Sequence, residues 1–236
     1  MKAPDRAPAP TPARTEARAL GRVALLDPGL LAVVPSAGRS LRMGRSKPLL
    51  PLGDTDFIGT IIAALGGLDT GVGRVVVVRR EDDEALGTRL SELTELLGRT
   101  GAATIIQATV PAGLGDMLAS IRSGYGIGAM HGEFGALVWP VDSPFASSHT
   151  LASVLGHARQ HPERVVRPVH AGSQGHPIWV PASVLRAEPP QGSGPGLRGL
   201  IEALSPGLED LVVEDPGCLV NVNTPEAHAA YSRAGR

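Results

Sequence analysis

The sequence predicts a three-layer α/β domain with a mostly parallel central sheet, and three observations carry that prediction. Short aliphatic runs alternate with amphipathic helical stretches from Leu30 onward, the pattern of successive β-α-β units. Aromatic residues make up only 3% of the chain, so the core must be aliphatic. The 30 glycines and 21 prolines divide the chain into short elements joined by tight turns. A chain of 236 residues can bury such a core without disulfides or a structural metal.

Residues 1–25 read as a disordered Pro/Ala-rich tail and 26–236 as one domain. The tail carries Pro4, Pro8, Pro10 and Pro12 among Ala and Arg, with no apolar periodicity able to bury a face. A transit peptide is the alternative, opposed by those prolines, which would break its amphipathic helix, and by Asp5 and Glu16, acidic residues unusual in such a peptide. The first strand is then Leu30 to Val34. A helix from about 56 to 68 follows, with Phe57, Ile58, Ile61, Ile62, Leu65 and Leu68 on one stripe. The continuous apolar run Val75 to Val78 is a buried parallel strand. Leu86, Leu90, Leu93 and Leu97 mark the next helix, and Ala103 to Gln107 the third strand. Leu114 to Tyr125 reads as helix, Ala136 to Val141 as a strand ending at Asp142, and Leu151 to Arg159 as helix. Beyond these, 165–169, 177–180, 211–213 and 219–222 are candidate strands, with helices near 197–204 and 225–233.

Composition narrows the function classes. Lys plus Arg is 22 and Asp plus Glu is 23, a formal net charge of −1, which gives no electrostatic reason to expect a nucleic acid or an anionic membrane as partner. The single cysteine, Cys218, excludes an internal disulfide framework and any multi-cysteine metal site. It reads as a small buried strand residue, and a reducing cytoplasm is the default compartment. No apolar run approaches the roughly 20 residues a membrane-spanning helix needs.

The chemistry gathers in three places. The stretch Val33 to Phe57 leaves the first strand through a loop holding Gly38, Gly44, Arg39, Arg42, Arg45 and Lys47. In an open parallel sheet ligands bind beyond the carboxyl ends of the strands, so backbone N–H groups and cations meet an anion there. A phosphate-bearing ligand is the natural reading, with a solvated basic turn as the plain one. The spacing is not that of a P-loop, and no Gly-x-Gly-x-x-Gly is present there. The second place is Asp142, delivered to the end of a buried strand and followed by Ser143-Pro144: either a carboxylate that holds Mg²⁺ or an ordinary turn residue. The third is Asn221-Val222-Asn223-Thr224-Pro225, where Thr224 as N-cap and Pro225 at the first helical position account for two residues without any function. His157 and His161 have zinc-like spacing but no third ligand, and Ser120 and Ser143 sit in no nucleophile elbow.

At the first loop the sequence resembles the molybdenum-cofactor nucleotidyltransferases, the MobA-like NTP transferase family. Ala37, Gly38, Ser40, Arg42, Met43, Gly44, Lys47, Leu49 and Leu50 fall on that family's Ala-Gly-x-Ser-x-Arg-Met-Gly-x-x-Lys-x-Leu-Leu pattern. Asp142 matches the Asp of its Asp-x-Pro segment, and Asn223 the second of its paired metal-site residues. Gly113 to Gly124 resembles the helix bordering the nucleotide, with Ser120 and Gly124 matching. Gly172, Gly175, His176 and Pro177 match the Gly-x-x-Gly-His-Pro segment of the cytidylyltransferase branch. The resemblance covers residues 30 to 233. Two departures stand out: Pro35-Ser36 replaces Leu-Ala, and Gly194 replaces an acceptor-side Asp.

The resemblance implies a Rossmann-like fold of the nucleotide-diphospho-sugar transferase type. It further implies nucleotide binding by Ala37, Gly38, Ser40, Arg42, Gly44, Lys47 and Ser120, with Arg42 on the β- and γ-phosphates and Lys47 on the α-phosphate. Arg42, Lys47 and Asp142 are the implied catalytic residues, Asp142 and Asn223 hold Mg²⁺, and His176 contacts the acceptor, a structural turn histidine being the plain alternative. The expected partners are a nucleoside triphosphate, CTP first, and a phosphorylated small-molecule acceptor, molybdopterin-type cofactor first. A sugar phosphate or phospho-alcohol acceptor, or a non-catalytic nucleotide- or cofactor-binding role, are the alternatives.

Overall fold

Strand β1 (Leu30–Pro35) lies at the middle of the sheet because both its faces are apolar: Leu31, Ala32, Val33 and Val34 are all fully buried. The computed structural model describes residues 30–38, 46–67, 70–98, 103–111, 116–129 and 133–234. The expected tail over 1–25, and Ser40, Arg42 and Gly44 of the first loop, lie outside them.

The remaining elements follow the predicted alternation. A short hairpin, β2 (Pro51–Leu52) and β3 (Thr55–Asp56), precedes α1 (Phe57–Leu65). Gly53, at φ +59°, supplies the left-handed residue its two-residue turn requires. Next come β4 (Val72–Arg80), α2 (Glu84–Gly98), β5 (Thr104–Val110), α3 (Met117–Gly128), β6 (Gly135–Val138) and α4 (Ser148–Gln160). The second half holds β7 (Val165–His170), β8 (Ser173–Gln174), β9 (Ile178–Pro181), α5 (Ala182–Arg186), α6 (Gly196–Leu204), β10 (Leu208–Val212) and α7 (Pro225–Ala234).

The sheet runs β10-β7-β9-β6-β1-β4-β5, with β8 pairing on β7. Strands β6, β1, β4 and β5 are parallel, as are β7 and β10, whereas β9 is antiparallel to both β6 and β7. Alternation along β1 sorts the layers. Ala32 and Val34 face one apolar cluster built with α1, α2 and α4, and Leu31 and Val33 face another built with α3, α5 and α6. Helix α3 comes unusually close to the sheet. A Cβ on Gly124 would stand 2.6 Å from Val78 Cγ2 and 2.8 Å from Val33 Cγ1. Only glycine permits this approach.

Three predicted elements differ. The strand expected over Ala136 to Val141 covers Gly135–Val138, and Val141 and Asp142 lie in a turn beyond it. The expected strand over 219–222 is a 3₁₀ turn, Pro216–Leu219, followed by extended chain. Its backbone serves loops instead of a sheet: the Cys218 carbonyl accepts from His176 N, and Val222 N donates to the Asp142 carbonyl. Cys218 is therefore buried in a turn and not in a strand, and burial pushes its thiol up from the ordinary range. The last strand covers 208–212 instead of 211–213. Among the described residues, no helix is long and apolar enough to cross a membrane.

Candidate functional site

Lys47 opens a 3₁₀ turn, Lys47–Leu49, at the far end of the first loop. Pro48, buried at the start of that turn, presets its backbone, and Leu50 anchors it in the core. The half-buried Lys47 side chain extends from this turn. Asp142 arrives from the opposite direction, four residues past β6. Trp139 N still bonds Val33 O at 3.0 Å, continuing the ladder, and the buried Trp139 Nε1 donates to Ser143 O at 2.8 Å. That pair of bonds turns the chain sharply and places the half-buried Asp142 carboxylate at the sheet's carboxyl edge.

Asn223 joins them from the chain's end. The Val222–Asp142 backbone bond, 2.8 Å, sets the segment beside Asp142, and Thr224 Oγ1 caps α7 by accepting from Ala227 N at 3.2 Å. Asn223 Nδ2 donates to Asn221 Oδ1, which turns the Asn223 carbonyl oxygen toward Lys47. The result is one constellation: Lys47 Nζ lies 3.1 Å from Asp142 Oδ2 and also donates to Asn223 Oδ1. Three residues from loop, strand end and final turn thus converge.

His176 reaches the same edge by another route. It precedes β9, which runs against β6, so the start of β9 lies beside the end of β6. Its N–H donates to Cys218 O at 2.9 Å, and the two residues leading into the strand are joined by a cis His176–Pro177 bond. Gly175 allows this crossing, because a Cβ there would stand 2.6 Å from Cys218 Sγ. The imidazole Nδ1 is buried without a hydrogen-bond partner among the described residues. Burial lowers the imidazole's affinity for a proton below the ordinary histidine value, and the Asp142 charge only partly offsets this. His176 lines a cavity of about 570 Å³ between the sheet edge, α3 and α6. Ile121, Val138, Ile178 and Leu197 give it an apolar wall, while Arg167 and Arg198 are already engaged by Asp210 and Glu202.

The other expected residues are placed as follows. Ala37 is buried, and a Cβ on exposed Gly38 would meet none of the described residues within 4 Å. Ser120 is buried in the first turn of α3, its hydroxyl 3.4 Å from Asp116 O of its own helix. It is not brought to Lys47. His157 and His161 part company, the first on Glu209 and the second beside Glu163.

Sequence reasoning missed the turn between β4 and α2. There Arg80 Nη1 donates to Gly38 O at 3.3 Å, and Asp83 Oδ2 accepts from Ser46 Oγ at 3.0 Å. The buried Asp83 also caps α2 through Leu86 N. Both described flanks of the first loop are therefore tied to one turn. A second overlooked signal is scarcity: the chain has 20 arginines but two lysines, Lys2 and Lys47. A lysine at 47 is no compositional default.

Two hard oxygen donors converging on one cationic nitrogen suit a divalent ion such as Mg²⁺, which takes one or two protein oxygens and completes its shell with phosphate and water. The donor set fits.

The sheet order defines a Rossmann-like α/β fold, and the Lys47, Asp142 and Asn223 constellation lies at the carboxyl edge of its parallel strands. The MobA-like NTP transferase domain matches residues 32–208, and the chain belongs to that family of nucleotidyltransferases. No curated relative matches the sequence. Among solved structures, the chain is similar to the Rv0371c homolog from Mycobacterium sp. strain JC1, with 24% identity over 89% of this chain and 98% of that one, TM-score 0.66. It is similar also to Rv0371c of Mycobacterium tuberculosis in complex with manganese, with 17% identity over 87% and 99%, TM-score 0.62. A third likeness is to molybdopterin-guanine dinucleotide biosynthesis protein A from Archaeoglobus fulgidus, with 18% identity over 87% and 98%, TM-score 0.59.

Proposed function

We propose that the protein transfers a nucleoside monophosphate from a nucleoside triphosphate, CTP first, to a phosphorylated acceptor, molybdopterin-type cofactor first, and releases pyrophosphate. The observation that carries this reading is the convergence of Lys47, Asp142 and Asn223 next to the His176 cavity. An acceptor phosphate oxygen forms the new bond to the α-phosphorus, the bond from that phosphorus to the bridging oxygen breaks, and pyrophosphate leaves with the electron pair. Lys47, released from its carboxylate, neutralises charge on the α-phosphoryl oxygens, and fixed cations of this kind stabilise the transition state more than the ground state. Ala37 and Gly38 supply the nucleotide-binding backbone, with Ser40, Arg42 and Gly44 completing the loop and Ser120 the helix bordering the nucleotide. Asp142 and Asn223 hold Mg²⁺, which when bound supplies charge neutralisation across the triphosphate. His176, neutral at pH 7, offers the acceptor a hydrogen bond without adding a charge. The near-zero net charge and single cysteine support a small-molecule partner and a cytoplasmic setting, with neither nucleic acid nor membrane as partner.

The test is calorimetric titration with CTP, GTP, ATP and UTP, with and without Mg²⁺, followed by pyrophosphate release in the presence of molybdopterin, sugar phosphates or phospho-alcohols. Mg²⁺-dependent CTP binding that Arg42→Ala or Lys47→Ala abolishes supports the reading. Failure of every triphosphate to bind would overturn it, and turnover with another acceptor would move the acceptor assignment alone.

A further inference from the structure

We propose that the Lys47 ammonium is a built-in placeholder for the divalent cation, holding Asp142 and Asn223 until a metal–nucleotide complex arrives and then giving both oxygens up. The proposal rests on the nucleotidyl-transfer reading for the identity of the nucleotide, but not for the exchange itself.

The geometry carries the exchange. Lys47 Nζ engages Asp142 Oδ2 at 3.1 Å and Asn223 Oδ1, the same two oxygens that a metal would take. An ammonium and a divalent ion bound to one pair of oxygens would stand only a few ångströms apart. The Lys47 and Asp142 side chains are each only 15% exposed, so water and salt screen that repulsion weakly. One cation must leave.

Charge then decides when it leaves. Asn223 is neutral, so Lys47 balances Asp142 in the resting site. A bare divalent ion would strand the ammonium without an anion, whereas a metal carried on a triphosphate brings phosphoryl oxygens that receive it. Metal and nucleotide therefore assist each other through Lys47, a coupling between two ligands by way of one side chain. Lysine suits such an exchange because an ammonium on a flexible four-carbon stem can change partners while its backbone stays fixed, and here buried Pro48 and Leu50 fix that backbone.

Two measurements on the full chain test the exchange. The first is a calorimetric titration with Mg²⁺ alone, comparing wild type with Lys47→Met, which keeps an unbranched stem and loses the charge. The variant is expected to bind Mg²⁺ at least about fivefold more tightly, the lower end of ordinary coupling. Equal affinities overturn the placeholder. The second uses lysine carrying ¹³C at Cε, which gives two side-chain signals because the chain has two lysines. The Lys47 signal is expected to shift when Mg²⁺ and CTP are added together, and with Mg²⁺ alone only as far as Mg²⁺ binds. A Lys47 signal that stays put while Mg²⁺ binds also overturns it. Tighter Mg²⁺ binding in the variant with no triphosphate turnover would retain the placeholder and remove the nucleotidyl-transfer reading. Turnover with equal Mg²⁺ affinities would do the reverse.

Discussion

The backbone N–H of Val222 donates to the carbonyl oxygen of Asp142 at 2.8 Å. This bond joins the turn after β6 to the segment before α7, and so brings Asn223 beside a carboxylate distant from it in sequence. Asp215 stabilises the same segment from its other end. Burial works to raise its pKa, but hydrogen bonds from Thr150, Ser147 and Gly217 outweigh that and hold the carboxyl below its ordinary value. The site is thus assembled by backbone ties as much as by side chains.

Asn221 orients the Asn223 amide. Its exposed side chain supports little stability, but without it the Asn223 carbonyl oxygen is no longer held toward the cation. On the proposed function, in which Asn223 holds Mg²⁺, Asn221→Ala is expected to raise the Mg²⁺ concentration for half-maximal turnover about tenfold, as removal of outer partners of metal ligands does. Its unfolding free energy should change by less than about 0.5 kcal/mol. Steady-state rates across a Mg²⁺ series, paired with urea unfolding, check both.

Ser46, the residue before Lys47, donates its hydroxyl to buried Asp83. Ser46→Ala is expected to lower kcat/KM about fivefold, equivalent to roughly 1 kcal/mol for one such bond. Ser46→Thr, which keeps the hydroxyl, should recover most of the loss. An alanine variant with unchanged kcat/KM would show that the tie does not position Lys47.

Gly124 and Gly126 offer a matched pair on α3. An added Cβ at 124 collides with Val78 and Val33, whereas at 126 it meets none of the described residues within 4 Å. Gly124→Ala is expected to cost about 1–3 kcal/mol through overpacking. Gly126→Ala should stabilise by up to about 1 kcal/mol through helix propensity. Denaturant midpoints of the two variants read the difference directly.

His176 links pH to stability. Burial lowers its folded-state pKa below the ordinary 6.5. Above 6.5 the imidazole is neutral in both states and its contribution is fully present. As pH falls below 6.5 the unfolded chain takes up a proton that the folded chain resists, so stability is lost down to the folded value. His176→Gln should remove this part of the slope. Unfolding free energies at about pH 7.5 and about pH 5.5 should therefore fall further for wild type than for the variant.

Much of this was legible in the residues themselves. Fully apolar runs such as Leu31–Val34 and Val75–Val78 are buried on both faces, so periodicity placed the parallel strands well. Lys47, Asp142 and Asn223 each ended or followed a recognisable element, and the structure brings all three together. Cys218 to Val222 was less legible, because an apolar run that pairs with loop backbone has the same pattern as a strand. The ties from Arg80 and Asp83 were invisible for a different reason. A charged turn reads as solvated until its partners, here Gly38 and Ser46, are known in space.

The reversed direction of β9 has a consequence for how such proteins diversify. In the parallel half of the sheet, new chemistry must be written just after a strand, where Asp142 stands. At a strand that runs the other way, the same working edge is reached just before it, where His176 stands. The two sets of letters occupy separate stretches of chain, so the segment from Gly172 to Pro177 can be rewritten while the turn that carries Asp142 stays as it is.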